Sequence, residues 1–222
     1  MITDCRPDPE RLAPLKECME TYDVEGDDPE WPWNVLSLRT AVYSCGAICR
    51  EDHDKGIHLH DLDEFALCER LAREAAMLMD GVSVGMGSES SDHFAPFFVV
   101  ANAGTTPPEG LSEETIRRAF GGTIYPQAQI LVEPLVEAGL WWTVVKADCG
   151  MDGGDEGSDC LRPWRSLVAW FGTQPGLREA SFVMIGEEPL SDENGGCVFP
   201  RLALALTASG SLVGICGHVV HT

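Results

Sequence analysis

The feature that most constrains the fold is a pair of apolar runs at residues 202–220. Leu202-Ala-Leu-Ala-Leu-Thr207 and Leu212-Val-Gly-Ile-Cys216, continuing to Val220, are separated by Ala208-Ser209-Gly210-Ser211. Two such runs around a short turn with glycine available for positive φ read as a β-hairpin, so the chain must build a sheet. The sequence stops at His221-Thr222, directly off the second strand, which predicts a terminal carboxylate held in place. Ser181–Ile185 and Phe97–Val100 read as further strands, and Leu140–Val145 is predicted as another.

Helices are predicted at four places. Pro9 precedes Leu12, Leu15, Cys18 and Met19 at helical spacing, giving a helix over 8–22. Asp61 is an N-cap with Glu64 three residues later, and the stripe Leu62, Phe65, Cys68, Ala72, Ala75, Met79 carries this helix to Gly81. Ser112 caps a helix through Phe120, and Trp164–Phe171 forms one that stops at Gly172. Between the first two helices, strands are expected from Val35, over 41–49 and around 57–60; Ile130–Val136 is an apolar segment broken by Pro134, and 149–159 is an acidic, glycine-rich surface loop.

Charge excludes some classes of partner. The 222 residues carry 36 acidic and 15 basic side chains, a net charge of −21. Such a chain repels phosphate, so nucleic acid and anionic membranes are poor direct partners, whereas a basic protein is attracted quickly. No apolar run reaches the roughly 20 residues of a membrane span, and the first residues show no secretory pattern. Nine scattered cysteines without such a signal are expected to be reduced thiols in a cytoplasmic protein. Cys45-x3-Cys49 lacks the second pair that a zinc finger needs.

The chemistry-bearing residues are few. His58 and His60 alternate on a strand and so point to one face, where both imidazoles could approach one ion. Asp61 and Glu64 are already explained by the helix start, and no third ligand stands at a useful spacing. His218 and His221, three apart, face opposite sides of their strand. There is no nucleophile elbow, phosphate loop or dinucleotide fingerprint, so no enzyme and no cofactor is expected. Trp31 and Trp33 beside the acidic stretch Asp23–Glu30 suit a protein-binding edge, aromatics supplying area and acids supplying steering.

Three stretches, in order, resemble the nuclease A inhibitor family. Thr207-Ala-Ser-Gly-Ser-Leu-Val-Gly-Ile-Cys-Gly-His-Val-Val-His-Thr222 is similar to that family's terminal T-x-x-G-x-L-x-G-I-x-x-x-V-V-x-T run. Asp28-Pro-Glu30-Trp-Pro32-Trp-Asn-Val35 resembles its E-x-E-Y-P-F-x-V segment, and His60-Asp-Leu-Asp63-Glu-Phe65 its D-x-D-x-F junction. The likeness covers 10–80 and 160–222 and leaves 81–159 unmatched, as an insertion within a single domain. It implies a three-layer α/β/α sandwich around a mostly antiparallel sheet. It also implies inhibition of a basic, metal-dependent, sugar-nonspecific endonuclease by plugging its cleft. Asp28, Glu30, Trp31, Trp33 and Thr222 would bind the nuclease, with Asp28 and Thr222 approaching the partner's Mg²⁺. Asp28 stands where the family has Glu, one methylene longer. A scaffold that binds another protein through 81–159 is the alternative.

Overall fold

The computed structural model describes residues 1–19, 35–50, 58–90, 92–150, 159–186 and 197–221. In chain order these form β1 (Ile2–Asp4), a 3-10 turn (Pro9–Leu12), α1 (Ala13–Lys16), a second 3-10 turn (Glu17–Met19), β2 (Thr40–Val42), β3 (Ile48–Arg50) and β4 (Leu59–Asp61). There follow α2 (Leu62–Leu78), β5 (Ala95–Val99), α3 (Glu113–Ala119), β6 (Ile130–Pro134), α4 (Gly139–Asp148), α5 (Arg162–Thr173), β7 (Leu177–Ile185), β8 (Cys197–Thr207) and β9 (Leu212–His221).

The principal sheet has the order β5-β9-β8-β7-β6, with every neighbouring pair antiparallel. The β8–β9 hairpin runs from Leu206↔Leu212 to Cys197↔His221 and occupies internal positions. Gly210 makes its turn at φ +85, and Gly214 lies so close to the backbone of Ala203 that no Cβ fits. Internal strands are covered on both faces, which is why Leu202–Leu206 and Leu212–Val219 are buried without alternation. Residues 81–159 supply both outer strands, β5 and β6, and are therefore part of this sheet and its core.

Adjacent residues of β5 point to opposite faces, and each meets an aromatic side chain. Phe98 meets Phe65 of α2 edge-on at 5.6 Å, while Phe97 stacks on Phe120, the residue that ends α3, at 6.0 Å. Farther along, Phe182 of β7 stacks on Trp141 of α4 at 5.1 Å and meets Trp164 of α5 at 6.1 Å.

Several expectations are corrected. Of the helix predicted over 8–22, the described residues form α1 flanked by two 3-10 turns, and 20–22 lie outside the described residues. The strand expected over 41–49 is a hairpin of β2 and β3, closed by a turn at Gly46, whose φ is +80. Val35 starts no strand; Leu36 makes one isolated bridge to Ile124. Leu140–Val145 is helical in α4, which buries Trp141, Trp142 and Val145. The cysteines are not all thiols: Cys5 is bonded to Cys45 and Cys149 to Cys160. These pairs are 40 and 11 residues apart, distances at which local spacing carries no pairing signal. Cys18, Cys49, Cys68 and Cys216 are free. Among the described residues, no helix is long and apolar enough to cross a membrane.

Candidate functional site

Asp28, Glu30, Trp31, Trp33 and Thr222 lie outside the described residues. Their neighbours are described, and they converge. Val35, which follows the acidic segment, and Phe199 of β8 together occupy the space that a Cβ at Gly186 would need. The Phe199 ring lies 6.1 Å from the ring of His221, the residue before Thr222. Val35 also receives a hydrogen bond on its carbonyl from Tyr125 N–H, 3.1 Å, so its position is fixed from both sides of the chain. Met19, which precedes the acidic segment, belongs to the same buried cluster as Val35 and Phe199. The described residues on either side of the acidic segment, Met19 and Val35, thus both belong to the buried cluster that contains Phe199.

His58 and His60 occupy a second site, and the structure brings them company that their spacing did not announce. The β1–β4 pairing sets Thr3 opposite His60, and one step farther Cys5 N–H donates to the His58 carbonyl at 3.3 Å. Opposed residues of an antiparallel pair share a face, and alternation returns to that face every second residue. Cys5, His58 and His60 therefore face the same way. Cys45, bonded to Cys5, enters from the β2–β3 turn. One ligand atom each from Cys5, Cys45 and His58 lie within 4.8 Å of one another. His60 is buried, with Nδ1 3.1 Å from Cys5 Sγ. Burial pushes the pKa of both imidazoles below the ordinary histidine value, partly opposed by the Val100 carbonyl for His58 and by Asp4 for His60. The neutral ring, with one nitrogen lone pair free, is favoured in each.

Val100 orders this site from behind. His58 Nε2 is 3.1 Å from the Val100 carbonyl, to which it donates, and Val100 N–H donates to the Cys45 carbonyl at 3.0 Å. A cavity of about 290 Å³ opens beside His58, with Asn102, Thr115, Arg118 and Ser209 among its polar walls.

A third cluster surrounds His218. Its Nε2 lies 2.7 Å from Asp92 Oδ2 and 4.0 Å from Glu17 Oε2. The Ser90 hydroxyl donates to the same Asp92 oxygen. This serine is therefore held by the carboxylate and not by the imidazole, so the pair lacks the geometry in which a histidine activates a hydroxyl. Cys18 is also near, but burial, reinforced by Cys216, pushes its thiol well above the ordinary range and keeps it protonated. Burial likewise raises Cys68 and Cys216 to about 12. The His221 ring lies 6.1 Å from that of Phe199.

Sequence reasoning found His58 and His60 but missed Cys5 and Cys45, whose approach depends on the pairing of β1 with β4 and on the β2–β3 turn. In comparisons with known proteins, no family model matches the chain and no curated protein matches it.

Proposed function

We propose that this protein inhibits a basic, metal-dependent, sugar-nonspecific endonuclease, with a three-layer α/β/α body presenting the acidic segment and Thr222 to the nuclease cleft. The observation that carries the reading is the convergence of Val35 and His221 on Phe199. Asp28 and Glu30 precede Val35 by a few residues, and Thr222 follows His221. The two segments assigned to the nuclease would thus approach one end of β8–β9, as a plug with two prongs requires. The opposed contacts of Phe97 and Phe98 with α3 and α2 support helices on both faces of the sheet. The net charge of −21 supports capture of a basic cleft, in which carboxylates replace substrate phosphates around Mg²⁺.

Titration into a nonspecific Mg²⁺-dependent endonuclease, read by plasmid cleavage, tests this. Stoichiometric inhibition is expected, at least ten-fold weaker after removal of Thr222 or in the Asp28→Lys/Glu30→Lys variant. Raising salt should slow association. Full potency in both variants would overturn the assigned residues, and absence of any inhibition would overturn the class.

A second reading, a scaffold for another protein, is favoured by one feature of 81–159. The outer strand β6, the turn that follows it and α4 expose Leu131, Val136 and Leu140 respectively. Apolar side chains on a sheet edge invite a partner strand or helix. Changing Leu131 and Leu140 to Asp should leave nuclease inhibition intact and abolish a partner bound at this edge.

A further inference from the structure

Three side chains that commonly ligate transition metals, Cys5, Cys45 and His58, meet at the N-terminal strand pair although they come from three separate stretches of sequence, and a fourth, His60, lies against Cys5. A disulfide by itself requires neither imidazole. Both nevertheless face it, His60 buried against the Cys5 sulfur and His58 oriented by the Val100 carbonyl. That hydrogen bond commits Nε2–H and leaves the lone pair on Nδ1. Donation of one ring N–H to a backbone carbonyl is the usual way in which a ligating histidine is held. Val100 also binds the Cys45 carbonyl through its N–H, so one backbone unit aligns a sulfur ligand and a nitrogen ligand.

We propose that this cluster is a redox-gated site for Zn²⁺, closed while Cys5 and Cys45 are bonded and open when they are reduced. A dithiol reductant opens it. One of its thiolates attacks a sulfur of the Cys5–Cys45 bond, which breaks to give a mixed disulfide and one free cysteine. The second thiol then displaces the other cysteine, and the reductant leaves as its own disulfide. Two electrons and two protons have passed to Cys5 and Cys45. Zn²⁺ then replaces both thiol protons, which go to solvent, and is held by two thiolates and His58, with His60, which now touches Cys5, swinging in to close the fourth position. Tetrahedral ligands at zinc distances stand about 3.8 Å apart. The ligand atoms of Cys5, Cys45 and His58 lie within 4.8 Å of one another, and the two sulfurs, bonded in the oxidised form, separate by side-chain rotation once reduced. Mixed sulfur and nitrogen donors favour Zn²⁺ over Mg²⁺ or Ca²⁺, which take oxygen. This inference does not depend on the nuclease reading.

The test uses the full chain, reduced with a phosphine under anaerobic conditions, freed of metal and titrated with Co²⁺ alone. One equivalent should bind, with tetrahedral d–d bands and thiolate-to-cobalt charge transfer, and Zn²⁺ should displace it. The oxidised protein should bind none. His58→Ala leaves both cysteines in place and should weaken Co²⁺ binding at least ten-fold after reduction. His60→Ala should weaken binding while keeping the charge-transfer band. The Cys149→Ser/Cys160→Ser variant should bind as the parent does, which sets aside the other pair of cysteines. Circular dichroism reports folding throughout. Reduced parent that takes up no Co²⁺, folded or not, would overturn the proposal. So would equal uptake by the parent, His58→Ala and Cys5→Ser.

Discussion

Glu64 ties the first turn of α2 to the turn between β8 and β9. Its carboxylate accepts from Thr207 Oγ1 at 2.5 Å and from Ser209 Oγ at 3.1 Å. Thr207 is buried, so losing the carboxylate strands a hydroxyl away from water. Glu64→Ala should cost about 2 kcal/mol in urea unfolding, as expected for a hydrogen bond to a charged group. Glu64→Gln, which keeps an acceptor, should cost less. The sequence pattern Asp61-x-x-Glu64 reads as a reciprocal cap, and only half of it is local. Asp61 does accept from Asp63 N–H and Glu64 N–H, at 2.8 and 3.3 Å. Glu64 turns instead to a hairpin some 140 residues away. A cap can be read from neighbours in sequence; a partner across the fold cannot. The same limit applies at the candidate metal site, where His58-x-His60 is visible as a spacing while Cys5 and Cys45 are joined to it only by strand pairing.

At the scale of elements, α4 shows how a distant group decides between helix and strand. Leu140-Trp-Trp-Thr-Val-Val145 is rich in β-branched and aromatic residues, and a short apolar run of this kind suits either structure. Ala138, at the N-cap, offers no side-chain acceptor. Glu133 of β6 takes that role: Oε1 accepts from Leu140 N–H at 3.1 Å and Oε2 from Trp141 N–H at 2.9 Å. Its negative charge also stands at the positive end of the helix dipole. Gly139, at φ +85, allows the carboxylate to approach where a Cβ would crowd it. Glu133→Ala should therefore destabilise the protein by about 1 kcal/mol, the usual worth of an N-cap, with the loss seen first in hydrogen exchange of Leu140 and Trp141. Uniform exchange across α4 and the sheet would contradict this role. The helices Ser112–Phe120 and Trp164–Phe171 were legible because their signals are local: Ser112 accepts from Thr115 N–H at 3.3 Å, and Pro163 sits in the first turn of α5.

For the whole molecule, the hairpin and the long α2 followed from hydrophobic pattern, the antiparallel sheet was expected from the resemblance, and the covalent ties were signalled by neither. The loop closed by Cys5–Cys45 spans 40 residues and that closed by Cys149–Cys160 spans 11. Loop-closure entropy assigns them about 4 and about 3 kcal/mol respectively. Reduction with a phosphine should lower the urea midpoint accordingly, and Cys149→Ser/Cys160→Ser should reproduce only the smaller part. An unchanged midpoint would mean that neither bond constrains the unfolded chain. The proposed nuclease contacts lie outside the described residues and rest on composition and order alone, because acidic residues without regular pattern leave no periodic trace. The strand order has a consequence for how the molecule is made. β5 enters the principal sheet only through β9, although well over a hundred residues separate them in the chain. On the ribosome, β5 emerges early, and although α2 and α3 are already at hand to meet Phe98 and Phe97, its hydrogen-bonding edge stays unpaired until Leu212–His221 is released. Synthesis of this protein should therefore lean on whatever shields nascent chains, and a chain halted before β9 should aggregate.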